Sequence, residues 1–285
     1  MTGRPARRPP SAAPLRRTRP VKRASAGLSP VRAGAALTML LAAGATYGVG
    51  ASSAFDFARL EIAGTEFTDR AAVEEVLDEV RGENLFRLST VPVVAALREL
   101  PTVADAGVAI ALPETLAITI VEREPILVWA AADRRFLSDL DGLLFAELGA
   151  DAPAAADALP VVDDRRGTAR LLAVGSTLDP VDLDAARRLG SLVPSDVGST
   201  APQLGVVVTD EHGFVVTPGP DTWRAVFGFY TASLRRTDII PGQVRLLRSL
   251  LLGREPTIDR IILADEQDGT FTRRATPRPS DEPEP

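Results

Sequence analysis

Residues 57–125 change hydrophobic period in a fixed order, and that order leaves few folds open to the chain. Leu60 and Ile62 alternate with Arg59 and Glu61, the period-2 pattern of a half-buried strand, until Gly64 breaks it. Thr68 is then in place to cap a helix, with Asp69 at its positive end. Val73, Val76, Leu77 and Val80 follow at i, i+3, i+4 and i+7, while Glu74, Glu75, Asp78 and Glu79 take the wet side. A second helix is expected from Ser89 or Thr90, with Pro92 tolerated in its first turn and Pro101 ending it; Val93, Ala96, Leu97 and Leu100 form its stripe. Two alternating runs close the stretch: Val108, Ile110 and Leu112, then Leu116, Ile118 and Ile120. Two helices with one apolar stripe each can cover one face of a three-stranded sheet, which makes a complete small β-α-α-β-β domain.

This order and its punctuation resemble a POTRA domain, and more narrowly the version in the FtsQ/DivIB family of bacterial cell-division proteins. The resemblance is carried by the Gly64 stop, Gly82-Glu83-Asn84-Leu85, Leu100-Pro101-x-Val103, Ala106-x-Val108, Pro113-x-Thr115-Leu116-x-Ile118 and Val121-Glu122-Arg123-x-Pro125. It continues through the hairpin Asp139-Leu140-Asp141-Gly142 and Phe145. Each piece is only a turn or a core position; their succession over about ninety residues is what is specific. One departure is visible: where the family usually places a basic residue shortly after the position of Val108, this chain has Ile110 and Ala111.

The flanks of that domain differ sharply in charge. Residues 1–32 carry nine basic side chains and no acid, whereas residues 33–285 hold 23 basic and 38 acidic groups, a net of −15. The Pro- and Ala-rich basic stretch cannot bury a core and is expected to be a disordered cytoplasmic tail. Residues 33–55 contain no charge. As a helix rising about 1.5 Å per residue they reach about 34 Å, enough for a hydrocarbon core of about 30 Å. An uncleaved single span with its basic end inside is expected. A cleaved signal peptide is the rival, since Ser52-Ser53-Ala54 offers small residues at a cleavage point. Arg16-Arg17 hints at a twin-arginine signal but lacks the apolar residues expected directly after the pair, and Gly44-x-x-x-Gly48 is a chance match in so small-residue-rich a segment.

Beyond residue 125 the pattern reads as a second, mixed α/β domain over 126–275, followed by a Pro- and acid-rich disordered tail at 276–285. Candidate strands are 126–129, 135–137, 143–145 and 159–162, then a hairpin of 206–208 and 214–216 about His212, and a final pair, 258–264 and 270–274, about Asp268-Gly269. Helices are expected over 180–193, with Leu183, Ala186, Leu189 and Leu192 inward, and over 241–252, with Val244, Leu247, Leu250 and Leu251 inward. The fold class is therefore α+β: one N-terminal transmembrane helix, a POTRA domain at 56–125 and an FtsQ-type domain.

Chemistry is sparse. The chain has no cysteine, which excludes disulfides, thiolate catalysis and zinc–thiolate sites, and its one histidine, His212, falls in an expected hairpin turn. Asp139 with Asp141, and Asp163 with Asp164, have the spacing for acid–base work or for calcium, but all four fall at expected turns, where Asp bonds local backbone. Phosphate loops, nucleophile elbows and His-containing metal spacings are missing from the sequence. Trp129, Trp223 and Phe271 read as packing, and the acidic body argues against nucleic acid. No cofactor, metal or catalytic residue is expected, and the protein is not expected to be an enzyme.

What the resemblance implies is a bitopic scaffold of the divisome, set in the plasma membrane at the septum. Such a protein links early and late division proteins and helps control septal peptidoglycan synthesis. Its implied partners are the small coiled-coil division proteins of FtsB/DivIC and FtsL type. Their expected site is the last strand, Thr270, Phe271, Thr272, Arg273 and Arg274, left as a sheet edge to which a partner can add a strand. Proline at Thr272 is expected to obstruct that addition. Alternatives are a POTRA-containing envelope protein of secretion or assembly, an envelope enzyme, and a cleaved, secreted adaptor.

Overall fold

The structure, a computed structural model, describes residues 29–149 and 152–274. The expected tail at 276–285 and all but the end of the basic tail lie outside the described residues. The described chain falls into two units, residues up to Ala51 and residues from Ser52.

The first unit is one helix, α1 (Pro30–Ala51), long and apolar enough to cross a membrane, with none of its residues buried. It begins and ends earlier than the charge-free segment 33–55. Ser52 breaks it: its side chain accepts from the Ala54 amide and caps a separate 3-10 turn over Ser53–Phe55.

The second unit opens with the small domain. Strand β1 (Arg59–Ala63), helix α2 (Arg70–Leu77), helix α3 (Thr90–Arg98) and strands β2 (Val103–Ala111) and β3 (Thr115–Glu122) follow the expected order. In space β3 is central, parallel to β1 and antiparallel to β2. Val73, Leu77, Val93 and Leu97 from the helices meet Leu116, Ile118 and Ile120 from β3 in one buried cluster. The glycine at position 64 is required there: at φ +83° it approaches β3 so closely that a Cβ would lie 2.2 Å from the Ile120 carbonyl oxygen.

Three local expectations are corrected. Asp69, not Thr68, caps α2 by accepting from the Ala71 amide, and Thr68 is buried with its hydroxyl on Thr102. The last turn of α2 tightens to a 3-10 turn over Asp78–Val80, which leaves Val80 only half-buried. Strand β2 starts at Val103, and a register shift between Val103 and Asp105 puts Val103 on the same core face as Ala106, while Ile110 and Leu112, expected in the stripe, are exposed at its far end.

The rest of the unit is a nine-stranded mixed sheet. In chain order its strands are β4 (Leu127–Ala131), β5 (Arg134–Ser138), β6 (Leu144–Glu147), β7 (Val161–Asp164), β8 (Gly205–Thr209), β9 (Gly213–Thr217), β10 (Arg224–Gly228), β11 (Ile258–Leu263) and β12 (Gly269–Arg273). Across the sheet they stand β12-β11-β10-β9-β8-β7-β4-β5-β6. Helix α4 (Pro180–Gly190) joins the parallel pair β7 and β8, and helix α5 (Ile240–Leu251) joins the parallel pair β10 and β11. Asp179 caps α4 by accepting from the Val181 and Asp182 amides, with Pro180 in its first turn. Both helices pack one face of the sheet, burying Leu183, Ala186, Leu189, Leu247 and Leu251 against Trp129, Val206, Phe214 and Ile261. On the opposite face Val128, Leu137 and Phe145 of β4–β6 meet Phe67 of the small domain.

Strand β10 has no counterpart in the sequence reading, which placed only Trp223 beside it as packing. Its Ala225, Val226 and Phe227 are buried on both faces, so the run shows no alternation to betray it. Asp164, expected in a turn, instead ends β7 at 1% exposure.

Candidate functional site

Among the described residues the large sheet has two terminal strands, and only one of them is open. Along β6, Leu144 donates to the Ser176 carbonyl and accepts from the Gly175 amide, so the passing loop closes that edge. At the other end stands β12, whose residues are exposed or half-buried throughout. All five expected site residues lie here: Thr270 to Arg273 within the strand and Arg274 just after it, donating its amide to the Thr257 carbonyl.

The register decides which of them face outward. Thr270, Phe271 and Thr272 pair with Ile262, Ile261 and Arg260 of β11. The Asp268 carbonyl accepts from Ala264 at one end and the Arg274 amide donates to the Thr257 carbonyl just before β11 at the other, so even-numbered residues of β12 turn their backbone groups inward. Phe271 and Arg273 therefore carry the free N–H and C=O groups, and among the described residues nothing outside β11 pairs with them. This corrects the expectation for Thr272: proline there would break a bond within the sheet, not an outward one. The Phe271 ring stands on the helix side beside buried Ile261, whereas Thr270 and Thr272 extend the other face, which carries Val207, Val215, Val226 and Ile262 in one cross-strand row. On that face a shallow groove of about 300 Å³ opens between Thr209, His212, Thr217 and Arg224.

The edge is held firmly from behind. Asp265 accepts from the Gln267 and Asp268 amides, both at 2.7 Å, and these bonds hold its carboxyl below the usual range. Arg235 Nη2 donates to the Phe227 and Leu263 carbonyls, at 2.6 and 2.8 Å, locking the ends of β10 and β11 together. Buried Gln243 donates to the same two carbonyls and accepts from Tyr230, whose hydroxyl is pushed well above its ordinary pKa by burial. Gly213 lets β9 begin against β10, where a Cβ would meet the Gly228 carbonyl oxygen at 2.4 Å.

The carboxylates singled out as chemical candidates are engaged in local structure. Asp139 is paired with Arg123 and accepts from the Asp141 and Leu143 amides. Asp164 accepts from Arg166 and from the Trp129 indole, and Arg166 reaches Asp182 with its other arm. These carboxylates raise the pKa of Arg166 further, Asp164 above all. Asp163 pairs with exposed Arg165. His212 sits in the turn between β8 and β9, 3.5 Å from Glu211. Among the described residues no cluster of three His, Asp or Glu side chains is arranged to hold a metal.

Comparison with known proteins agrees with this geometry. Residues 55–123 match the family model "POTRA domain, FtsQ-type". The chain is similar to proteins named cell division protein FtsQ in Chloroflexus aurantiacus, 28% identical over 77% of this chain and 71% of that protein, and in Chloroflexus aggregans, 29% identical over 54% of each. A third relative of that name, in Corynebacterium glutamicum, is 37% identical over 29% of this chain and 37% of its own length. A β-α-α-β-β domain of FtsQ type, ahead of a large mixed sheet, defines a POTRA-bearing protein. Residues 55–123 thus form a POTRA domain of FtsQ type, in a chain similar over much of its length to proteins named cell division protein FtsQ.

Proposed function

We propose that this chain is a single-pass, non-enzymatic scaffold of the divisome, with α1 in the membrane, the basic end in the cytoplasm and the two folded domains outside. It binds partners of FtsB/DivIC and FtsL type and so helps control septal peptidoglycan synthesis. The anchored reading is supported by the length and apolar character of α1 and by the nine basic residues that precede residue 33. A reporter active only outside the cytoplasm, fused after Arg274, is expected to be active and to stay with the membrane fraction. A soluble, shortened ectodomain in normal cells would overturn that orientation. A fluorescent fusion is expected at midcell, and depletion is expected to give filaments.

One observation carries the partner site: among the described residues β12 ends the sheet with the backbone groups of Phe271 and Arg273 unpaired. An extended segment laid along it satisfies those groups, and Arg273 and Arg274 favour an acidic segment. The test is a pull-down of the FtsB-like protein by the full chain carrying Phe271→Pro or Phe271→Ala. Proline removes the outward donor and should abolish capture, whereas alanine keeps the donor and should retain most of it. Unchanged capture by a folded Phe271→Pro chain would move the site to another edge, β2 of the POTRA sheet being the longest.

A further inference from the structure

The POTRA domain displays two phenylalanines that its own core does not use. Phe55 and Phe86 stand edge to face, ring centroids 5.0 Å apart, and Phe86 is 51% exposed. They are fixed rather than loose. Leu85 donates its amide to the Phe55 carbonyl at 2.8 Å, Asp56 bridges to Asn84, and the Asn84 side chain both donates to the Ser52 carbonyl and accepts from the Phe86 amide. Beside them Arg87 is exposed and has no carboxylate partner among the described residues, and Val91, 75% exposed, lies in the first turn of α3. A solvated domain gains nothing from holding paired aromatic rings in water.

Position in the chain says what covers them. Phe55 is four residues beyond Ala51, the end of α1, so the chain allows it at most about 14 Å from that end. The polar layer on each side of a bilayer is about 5–8 Å deep, so a span that ends at Ala51 keeps Phe55 within reach of it. Aromatic rings with an adjacent arginine are chemically suited to that layer: the rings enter between acyl chain ends and the guanidinium meets lipid phosphate.

The geometry points to a lipid-docking patch formed by Phe55, Phe86 and Arg87, which seats the POTRA domain on the outer surface of the membrane that α1 crosses. The patch rests on the anchored reading of α1. It sits in the domain remote in sequence from β12, so the partner edge and the lipid contact occupy different surfaces of the chain.

Because the chain has no cysteine, one can be introduced and labelled without competition. Ser89 is exposed and makes no capping hydrogen bond, so Ser89→Cys carries an environment-sensitive fluorophore near the patch at no structural cost. Leu234→Cys, 92% exposed in the large domain, is the control. The labelled full chain is reconstituted in phosphatidylcholine–phosphatidylglycerol vesicles whose lipids carry a shallow nitroxide quencher. Flotation with the vesicles tests the anchor, and quenching tests the patch. The expected result is flotation of both proteins, a blue-shifted and quenched label at 89, an unquenched label at 234, and loss of the quenching at 89 in the Phe55→Ser/Phe86→Ser chain. Failure to float overturns the anchored reading and the patch with it. Flotation with an unquenched label at 89 overturns the patch alone. Quenching that persists in the double serine chain overturns the role of the two rings.

Discussion

Arg123 Nη1 lies 2.8 Å from Asp139 Oδ2, and this ion pair crosses the joint between the POTRA sheet and the large sheet. Arg123 also donates Nε to the Pro101 carbonyl, and the other oxygen of Asp139 holds the β5–β6 turn. Glu122 works the same joint, its carboxylate accepting from the Glu66, Phe67 and Thr68 amides, while Phe67 packs edge to face on Phe145. The two neighbouring residues thus bind the loop after β1 and the first hairpin of the next domain to the end of β3.

Asp139 is 8% exposed at its side chain, so Arg123→Ala leaves a carboxylate without its cation in a largely dry setting. The expected cost is on the order of 3 kcal/mol. Urea unfolding followed by circular dichroism measures it, and limited proteolysis should now cut near Glu124. A loss under about 0.5 kcal/mol would mean the pair is solvated and the joint held by Phe67 alone.

Leu97→Asp should unfold the POTRA domain or destabilise it by several kcal/mol, because Leu97 is fully buried and no partner for a charge is at hand. Val76→Asp should cost clearly less, since Val76 is only half-buried at the margin of the same cluster. Thermal unfolding of both chains gives the ranking, and equal losses would contradict it.

The neighbouring acids Asp163 and Asp164 should differ sharply in what their loss costs. Asp164→Ala strips Arg166 and the Trp129 indole of a buried acceptor and is expected to cost about 3–5 kcal/mol. Asp163→Ala removes only an exposed pair with Arg165 and should stay within about 0.5 kcal/mol. Chemical denaturation distinguishes them, and Trp129 supplies a local fluorescence signal for the first.

Glu255 gives the large domain a pH dependence of defined sign. Burial raises its pKa, but donors from Ser199, the Thr200 amide, the Trp223 indole and the Thr200 hydroxyl outweigh this and leave it lowered. A lowered carboxyl contributes stability that is complete above the unfolded value of about 4.3 and is lost as pH falls through the folded value. Wild type should therefore exceed Glu255→Gln at neutral pH and converge on it in acid. Denaturation curves at pH 7 and about pH 3 test this, and a gap of constant size would show that the charge is irrelevant.

The sequence by itself determined the elements whose side chains see water on one face. Strand β1 alternates and helices α2 to α5 carry a stripe because one side is wet, the β8–β9 hairpin shows as two apolar runs about the turn at His212, and Gly64 and Pro101 mark limits. It also determined that Thr270–Arg274 would form a last strand. What required the tertiary structure was everything settled by contacts distant in sequence. Strand β10 is enclosed on both faces and so has no period. Asp164 is drawn into the core by the Trp129 indole, 35 residues away, and Asp139, which does hold its turn as expected, also pairs with Arg123 of the preceding domain. The order β1-β3-β2 and the outward turn of Phe271 and Arg273 rather than Thr272 are matters of register, which is fixed by pairing partners and not by the strand's own residues.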